Sequence, residues 1–320
     1  MSSAVQTSAD LKGALAGGLI REDVMDKIFD ISKIPLPFAD LVGSTTSKQE
    51  YKEWTQDKLA APDIANAVVD GADASGNDTK LGTRVGNHHQ ISRKVVAVST
   101  RADASDTIGF DKALAKQIEM RQQELRRDVD AIALLNQASV ADDGNTVAGK
   151  VGGLPSWLQT NYAGGAGSAA GHFDLNTKLT VARTPASAGR ALSEKDVRDV
   201  IQKIYEEGGD PSVMMTRPGV IRQFSEYMIK SKGATAQIHT EGPLDRKEAA
   251  TALGSVNVFV TDFGTIRAIP NRLQPKYTLG VKECADVFIL DPQYIQLTYL
   301  KGYRLETLAK TGLSEKRQMS

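Results

Sequence analysis

The chain has 320 residues, 41% of them hydrophobic, and 39 basic against 39 acidic side chains, for a formal net charge of zero. That length exceeds the usual single domain, so one large core or two smaller ones are expected, and no run reaches the roughly 18 apolar residues of a bilayer-spanning helix. Neutrality argues against a dedicated nucleic-acid binder, which carries a basic excess; it is compatible with a subunit packed beside copies of itself, as with many enzymes.

Residues 1–11 are polar and lack the basic start and apolar stretch of a secretory signal, so a soluble protein made in a cytoplasm is expected. A lone Cys284 has no partner for an internal disulfide and reads as a buried structural thiol. Residues 2–47 mix helical signals with breaks. Leu19, Ile20, Val24, Ile28 and Ile31 have helix-like spacing, then Pro35 and Pro37 force extended backbone. This stretch reads as an arm that docks on something, a neighbouring subunit being one candidate.

Strand-like runs follow at 51–58 and 90–99; in the second, Ile91, Val95 and Ala97 share one face and Val96 and Val98 the other. The intervening residues 60–89 hold six Ala, four Gly and four Asp, a composition that on its own suggests a long loop. Loops of that length are usually functional or disordered. Ile64, Val68, Val69, Leu81 and Val85 argue against disorder. The stretch reads as a two-stranded ribbon projecting from the body, its apolar residues covered by another molecule; a flexible surface loop is the alternative.

The longest helix signal spans 110–137, where Phe110, Leu114, Ile118, Leu125, Val129, Ile132 and Leu135 fall within a sector of about 100°. Asp106 or Thr107 can cap its start, and Asp142-Asp143-Gly144 marks the stop, giving a rod about 40 Å long. Mixed charges on its other faces read as a solvated surface or as ion pairs between subunits. A second helix begins at Ser193-Glu194-Lys195-Asp196, a capping-box pattern, and carries the stripe Val197, Val200, Ile201, Ile204 and Tyr205 to a stop at Gly208-Gly209-Asp210-Pro211. Residues 212–216 read as a buried strand, and Pro218 opens a helix bearing Ile221, Phe224 and Tyr227. Residues 231–253 read as a mobile loop. Strands are expected at 256–261, 265–269, 286–290 and 294–300, and the tail after Leu305 has too few large apolar residues for a core of its own. The fold class is α+β.

Candidate chemistry is thin. Gly144-Asn145-Thr146-Val147-Ala148-Gly149-Lys150 satisfies the G-x-x-x-x-G-K pattern of a phosphate loop, yet Val151 stands where a magnesium-holding Ser or Thr is needed. The match also follows a helix instead of a strand, so it reads as chance. His88 and His89 are adjacent and point to opposite faces of an extended strand, while His172 and His239 sit in separate loops, so no metal site is expected. Glu206-Glu207 and Asp142-Asp143 read as solvated pairs. Lys301, Arg304, Lys310, Lys316 and Arg317 outnumber Glu306 and Glu315 near the C-terminus, a surface for DNA, for a neighbour or for nothing. No catalytic residue and no cofactor is expected.

The order of arm, projecting ribbon, long helix, smaller α+β domain and returning strands resembles the major capsid proteins of tailed bacteriophages, which share the Hong Kong 97 fold. Four stretches carry the resemblance: Gly86-Asn87-His88-His89-Gln90-Ile91-Ser92-Arg93-Lys94, similar to a return strand; Glu124-Leu125-Arg126-Arg127-Asp128; Gly152-Gly153-Leu154-Pro155-Ser156-Trp157; and Leu308-Ala309-Lys310-Thr311-Gly312. It covers about residues 35–317. The resemblance implies an N-terminal arm at 1–50, an extended loop at 51–99 lying over the adjacent subunit, and a peripheral domain at 100–192 with its spine helix at 110–137. It implies an axial domain at 193–290, and a return strand with C-terminal tail at 291–320.

Contacts between subunits are expected at Trp54, Ile64, Val68, Leu81, Arg84, Arg93, Arg126 and Arg127. Some relatives crosslink their subunits through Lys and Asn side chains; Lys80 is a loop lysine, but no partners match, so that activity is not carried over. The implied partners are further copies in hexamers and pentamers, a portal protein, a separate scaffolding protein, a decoration protein and packaged double-stranded DNA, with no membrane. The expected location is the capsid of a virion assembled in the host bacterial cytoplasm. Alternatives are an encapsulin-like compartment shell, a tail-tube or neck protein and, least favoured, a P-loop nucleotide enzyme.

Overall fold

The computed structural model describes residues 35–71, 73, 79, 81–105, 112–230, 258–279, 282–310 and 312–320. In chain order the elements are β1 (Gly43–Thr46), β2 (Tyr51–Gln56), β3 (Thr83–His88), β4 (Lys94–Ser99), α1 (Thr100–Ala104), α2 (Ala113–Ala133), β5 (His172–Asp174), β6 (Leu179–Val181), α3 (Glu194–Glu206) and β7 (Val213–Thr216). Then follow α4 (Pro218–Lys230), β8 (Val258–Thr261), β9 (Gly264–Pro270), β10 (Tyr277–Leu279), β11 (Lys282–Cys284), β12 (Phe288–Leu290), β13 (Gln296–Tyr299), β14 (Leu305–Thr307) and β15 (Ser314–Met319). The helical spacing at 19–31, the caps Asp106 and Thr107, Lys80 and the loop at 231–253 lie outside the described residues. The described residues divide into two compact units: those within 94–122 and 305–319 form one, and those within 35–93 and 123–304, with 320, the other.

The larger unit is built on a four-stranded sheet of order β12-β7-β9-β8, with β7 parallel to β9 and the other pairs antiparallel. Every residue of β7 is buried, so both its faces carry core. On one face Met214 packs with Phe259 and Ile266 under Val197 and Ile201 of α3 and Phe224 of α4. On the other, Met215 packs with Phe288, Leu290 and Leu134, and with Phe38 and Val42 from the N-terminal stretch. Local signals start both helices as expected. Ser193 Oγ accepts the Asp196 amide at 3.1 Å, and Gly208, at φ +88°, lets the chain turn after α3. Pro218 fills the first position of α4, where no amide needs a partner.

The smaller unit holds a three-stranded antiparallel sheet of order β14-β15-β4. Among its described residues Val96 and Met319 are the buried apolar ones. Ser99 caps α1 by accepting from the Ala102 amide, and Asp103 accepts the Leu114 amide at 3.0 Å near the start of α2.

Several expectations change. The second half of the expected arm docks within its own chain: Phe38 and Val42 enter the core, and β1 runs parallel to β13. The strand expected at 90–99 begins at Lys94 and pairs with β15, while the ribbon returns through β3. The C-terminal tail is structural, because β14 and β15 borrow β4 as a third strand. The described part of the long helix stops at Ala133 and is about 32 Å long. Leu134 and Leu135 donate back three residues to Ala131 and Ile132, which tightens the last turn. Cys284 is half-buried in β11 instead of fully enclosed.

Candidate assembly surface

β2 and β3 form an antiparallel hairpin with the register Tyr51↔His88, Trp54↔Val85 and Gln56↔Thr83. Among the described residues neither strand pairs with a third. A two-stranded hairpin is marginal alone in water, so side-chain contacts at its base must hold it. Side chains alternate, which puts Trp54, Val85 and Asn87 on one face. Trp54 lies 5.2 Å from Trp157 between ring centroids, and Trp157 stacks on Phe173 at 5.5 Å. Asn87 makes two bonds to one residue: its amide nitrogen donates to the Gly152 carbonyl at 3.0 Å, and its oxygen accepts the Gly152 amide at 2.8 Å. From the other face, the Tyr51 hydroxyl donates to the Lys178 carbonyl at 2.8 Å.

Glycine permits this base. A Cβ on Gly86 would sit 2.5 Å from the Tyr51 ring. One on Gly152 would meet Thr180 Oγ1 at 2.2 Å, and one on Gly153 would lie 1.8 Å from the Leu135 carbonyl oxygen. Two of the stretches that carry the resemblance, 86–94 and 152–157, thus meet at one junction.

The tip, residues 57–82, carries Leu59, Ile64, Val68, Val69 and Leu81, each between 79% and 101% exposed. Single exposed apolar residues are ordinary, but five large ones within one loop mark an interaction surface. The same loop has five Asp against two Lys, and Lys58 is held by Glu207 at the end of α3.

Of the eight expected contact residues, Trp54, Ile64, Val68, Leu81 and Arg84 fall on the ribbon and its tip. Arg84 is tied along the ribbon to Glu53 at 2.6 Å. Arg93 is exposed beyond the hairpin. Arg126 and Arg127 lie apart on α2: Arg126 is exposed and sits 5.5 Å from the Tyr303 ring centroid, and Arg127 is half-buried. Burial, then the neighbouring Tyr299, pushes the Tyr303 hydroxyl well above its usual range.

Sequence reasoning missed Leu59 and the amides at the ribbon base. It also missed a buried carboxylate, Asp130, and a half-buried one, Asp286. Asp130 of α2 accepts the Ala39 amide at 2.8 Å and the Asn271 side chain at 3.3 Å, and burial pushes its pKa up. Asp286 takes a two-pronged bond from Arg183 at 2.6 and 3.0 Å and a further bond from Tyr277. Burial raises its pKa, with Arg183 opposing. These partners are distant in sequence and leave no periodic signal.

The chemical motifs dissolve in three dimensions. The segment from Gly144 to Lys150 is a loop closed by a bridge between Val140 and Lys150. Its amides at Asn145, Thr146 and Val147 donate to Asp143, leaving them committed to that carboxylate. Those bonds, the Asn145 amide first, hold the Asp143 pKa far below the usual range. Burial, then Lys52, lowers the His89 pKa. Among the described residues no cluster of three His, Cys, Asp or Glu could hold a metal ion, and no helix is long and apolar enough to cross a membrane. In the tail, Lys310 pairs with Glu315 at 3.0 Å and Arg317 bonds Thr307, so these charges are engaged within the chain.

A model of the SU10 major capsid protein family matches residues 3–320. The major capsid protein of Escherichia phage Phieco32 is 25% identical over 228 residues, 63% of this chain and 65% of that protein. The match therefore spans just under two thirds of that relative's length. Among solved structures, the cyanophage A-1(L) capsid asymmetric unit aligns with a TM-score of 0.54 at 11% identity, covering 94% of this chain and 92% of that one. A Mycobacterium phage Bobi chain aligns with a TM-score of 0.54 at 9% identity, over 98% and 89%. A Mycobacterium phage Adephagia chain gives 0.53 at 11% identity, over 99% and 90%. At such identities the likeness is one of fold, and the mixed α+β fold matches these phage structures.

Proposed function

The chain belongs to the SU10 major capsid protein family, a family of virion structural proteins, and on that premise we propose that it forms the shell of a phage head by self-assembly. The observation that carries this reading is the ribbon tip, where five large apolar side chains stand in solvent at the end of a two-stranded hairpin. Burial of such residues at an interface is worth about 1.5–3 kcal/mol each. A shell subunit repeats its interfaces many times, so modest contacts add up to a stable particle.

In this reading the ribbon, residues 51–88 of the extended loop expected at 51–99, lies over the adjacent copy within hexamers and pentamers. The long helix is the spine of a peripheral domain, residues 193–290 supply most of an axial domain, and the shell encloses double-stranded DNA. Portal, scaffolding and decoration proteins are its partners.

The test is expression with a candidate scaffolding protein and negative-stain electron microscopy of the high-molecular-weight fraction. Closed polyhedral shells are expected from the intact chain. Deleting residues 68–81 should leave a folded subunit that forms no correct shells; normal particles from the deletion would overturn the role given to the tip.

A further inference from the structure

We propose that Asn87 is a positioning residue that sets the angle of the ribbon against the body, and through that angle the curvature with which copies join. The inference rests on the shell-forming role above. The hairpin shares no backbone ladder with any other described strand, so its direction is decided by the few side chains that grip it, and the Lys58–Glu207 pair at its loop end is exposed and contributes little.

Asn87 is the group best built for this. Its carboxamide bonds both the N–H and the C=O of Gly152, as a paired strand residue would, and so fixes direction as well as distance. Gly152 in turn cannot shift freely. Its neighbour Gly153 is pressed on the Leu135 carbonyl just beyond α2 and donates to the Gln137 carbonyl at 3.1 Å. A second amide set reinforces the joint: Gln137 Nε2 donates to the Val151 carbonyl at 2.7 Å and to Gln90 Oε1 at 3.3 Å, and Gln90 Oε1 also accepts the Val151 amide at 3.3 Å. The result is a continuous mechanical link from the end of α2, through 151–153, to β3.

Leverage makes the link consequential. The six-residue strands run about 20 Å from this joint to the loop at 57–82. A tilt of about 10° at the base would therefore move the tip by about 3.5 Å, whereas gaps of only about 0.5–1 Å already forfeit much of a packing contact. Trp54 against Trp157 supplies adhesion, but a ring contact tolerates sliding; the two opposed hydrogen bonds of Asn87 do not.

The experiment compares the full-length chain with Asn87→Ala and with the control Asn145→Ala, an exposed residue of the loop at 144–150, away from the ribbon tip, reading subunit melting temperature and particle diameter by electron microscopy. Asn87→Ala should melt within about 6 °C of the parent and give particles of shifted or broadened diameter, or open sheets. Asn145→Ala should give parental particles. Asn87→Asp, of the same shape, keeps the acceptor for the Gly152 amide and sets an oxygen against the Gly152 carbonyl; it should change diameter likewise, and it decides the matter if the alanine variant does not fold. Parental diameter and yield from the folded Asn87 variants would overturn this inference and leave the shell reading standing. A wild-type chain that forms no shells would overturn both.

Discussion

Replacing Ile64 by serine removes an apolar side chain that is 101% exposed in the isolated subunit. A surface substitution of this kind changes subunit stability by no more than about 0.5 kcal/mol, so the melting temperature should move by less than about 2 °C. If the tip is buried against a neighbouring copy, the same substitution removes about 1.5–3 kcal/mol from each contact. At 1.4 kcal/mol per factor of ten, each contact weakens by about tenfold to a hundredfold. The threshold concentration for assembly, followed by light scattering and sedimentation, should rise by at least that factor.

Leu134→Ala provides the contrast. Leu134 is 1% exposed in the core beside Phe38 and Met215, and its truncation should cost about 2–5 kcal/mol of subunit stability. Two results would refute the reasoning: an assembly threshold unchanged by Ile64→Ser, or a loss of subunit stability comparable with that of Leu134→Ala.

Two further outcomes test the interior. Burial raises the Asp130 pKa in the folded chain, so the ionised form is penalised; the stability present at acid pH is lost as pH rises from its ordinary value of 3.8 through the folded pKa. An asparagine in its place would still offer an oxygen to the Ala39 amide, so Asp130→Asn should abolish that part of the decline, and urea unfolding between about pH 4 and 7 should show the variant gaining on the parent as pH rises. Parallel pH profiles would count against a strained carboxylate. Gly153→Ala places a methyl 1.8 Å from a backbone oxygen, so the loop beside α2 must move; a loss of about 1–3 kcal/mol is expected by the same method, and a neutral result would show that the junction is loose.

Much of the site was readable in advance only as composition. Ile64, Val68 and Leu81 stood out because apolar residues in a long polar loop need an explanation, and the structure leaves them in solvent. The ribbon's return strand stood out only through the resemblance at 86–94 and not through periodicity. Thr83–His88 holds one large apolar residue, Val85, and its pairing is decided by the fit of the Tyr51 ring over Gly86. The stronger alternation at Val95–Val98 belongs to a different sheet, where the partner strand begins more than two hundred residues later. Asn87 carried no signal by itself, because its role exists only where Gly152 meets it.

What the sequence determined alone is local. The Ser193 cap with the stripe behind it, the buried run at Val213–Thr216 and Pro218 opening a helix are interactions among residues a few positions apart, so chain order already contains them. Tertiary structure decided the rest: the docking of Phe38 and Val42 on β7 and β12, the burial of Asp130, the sheet joining β4 to β15, and the joint between Asn87 and Gly152. Each depends on groups between 65 and about 250 positions apart, brought together by burial of apolar surface that has no direction along the chain.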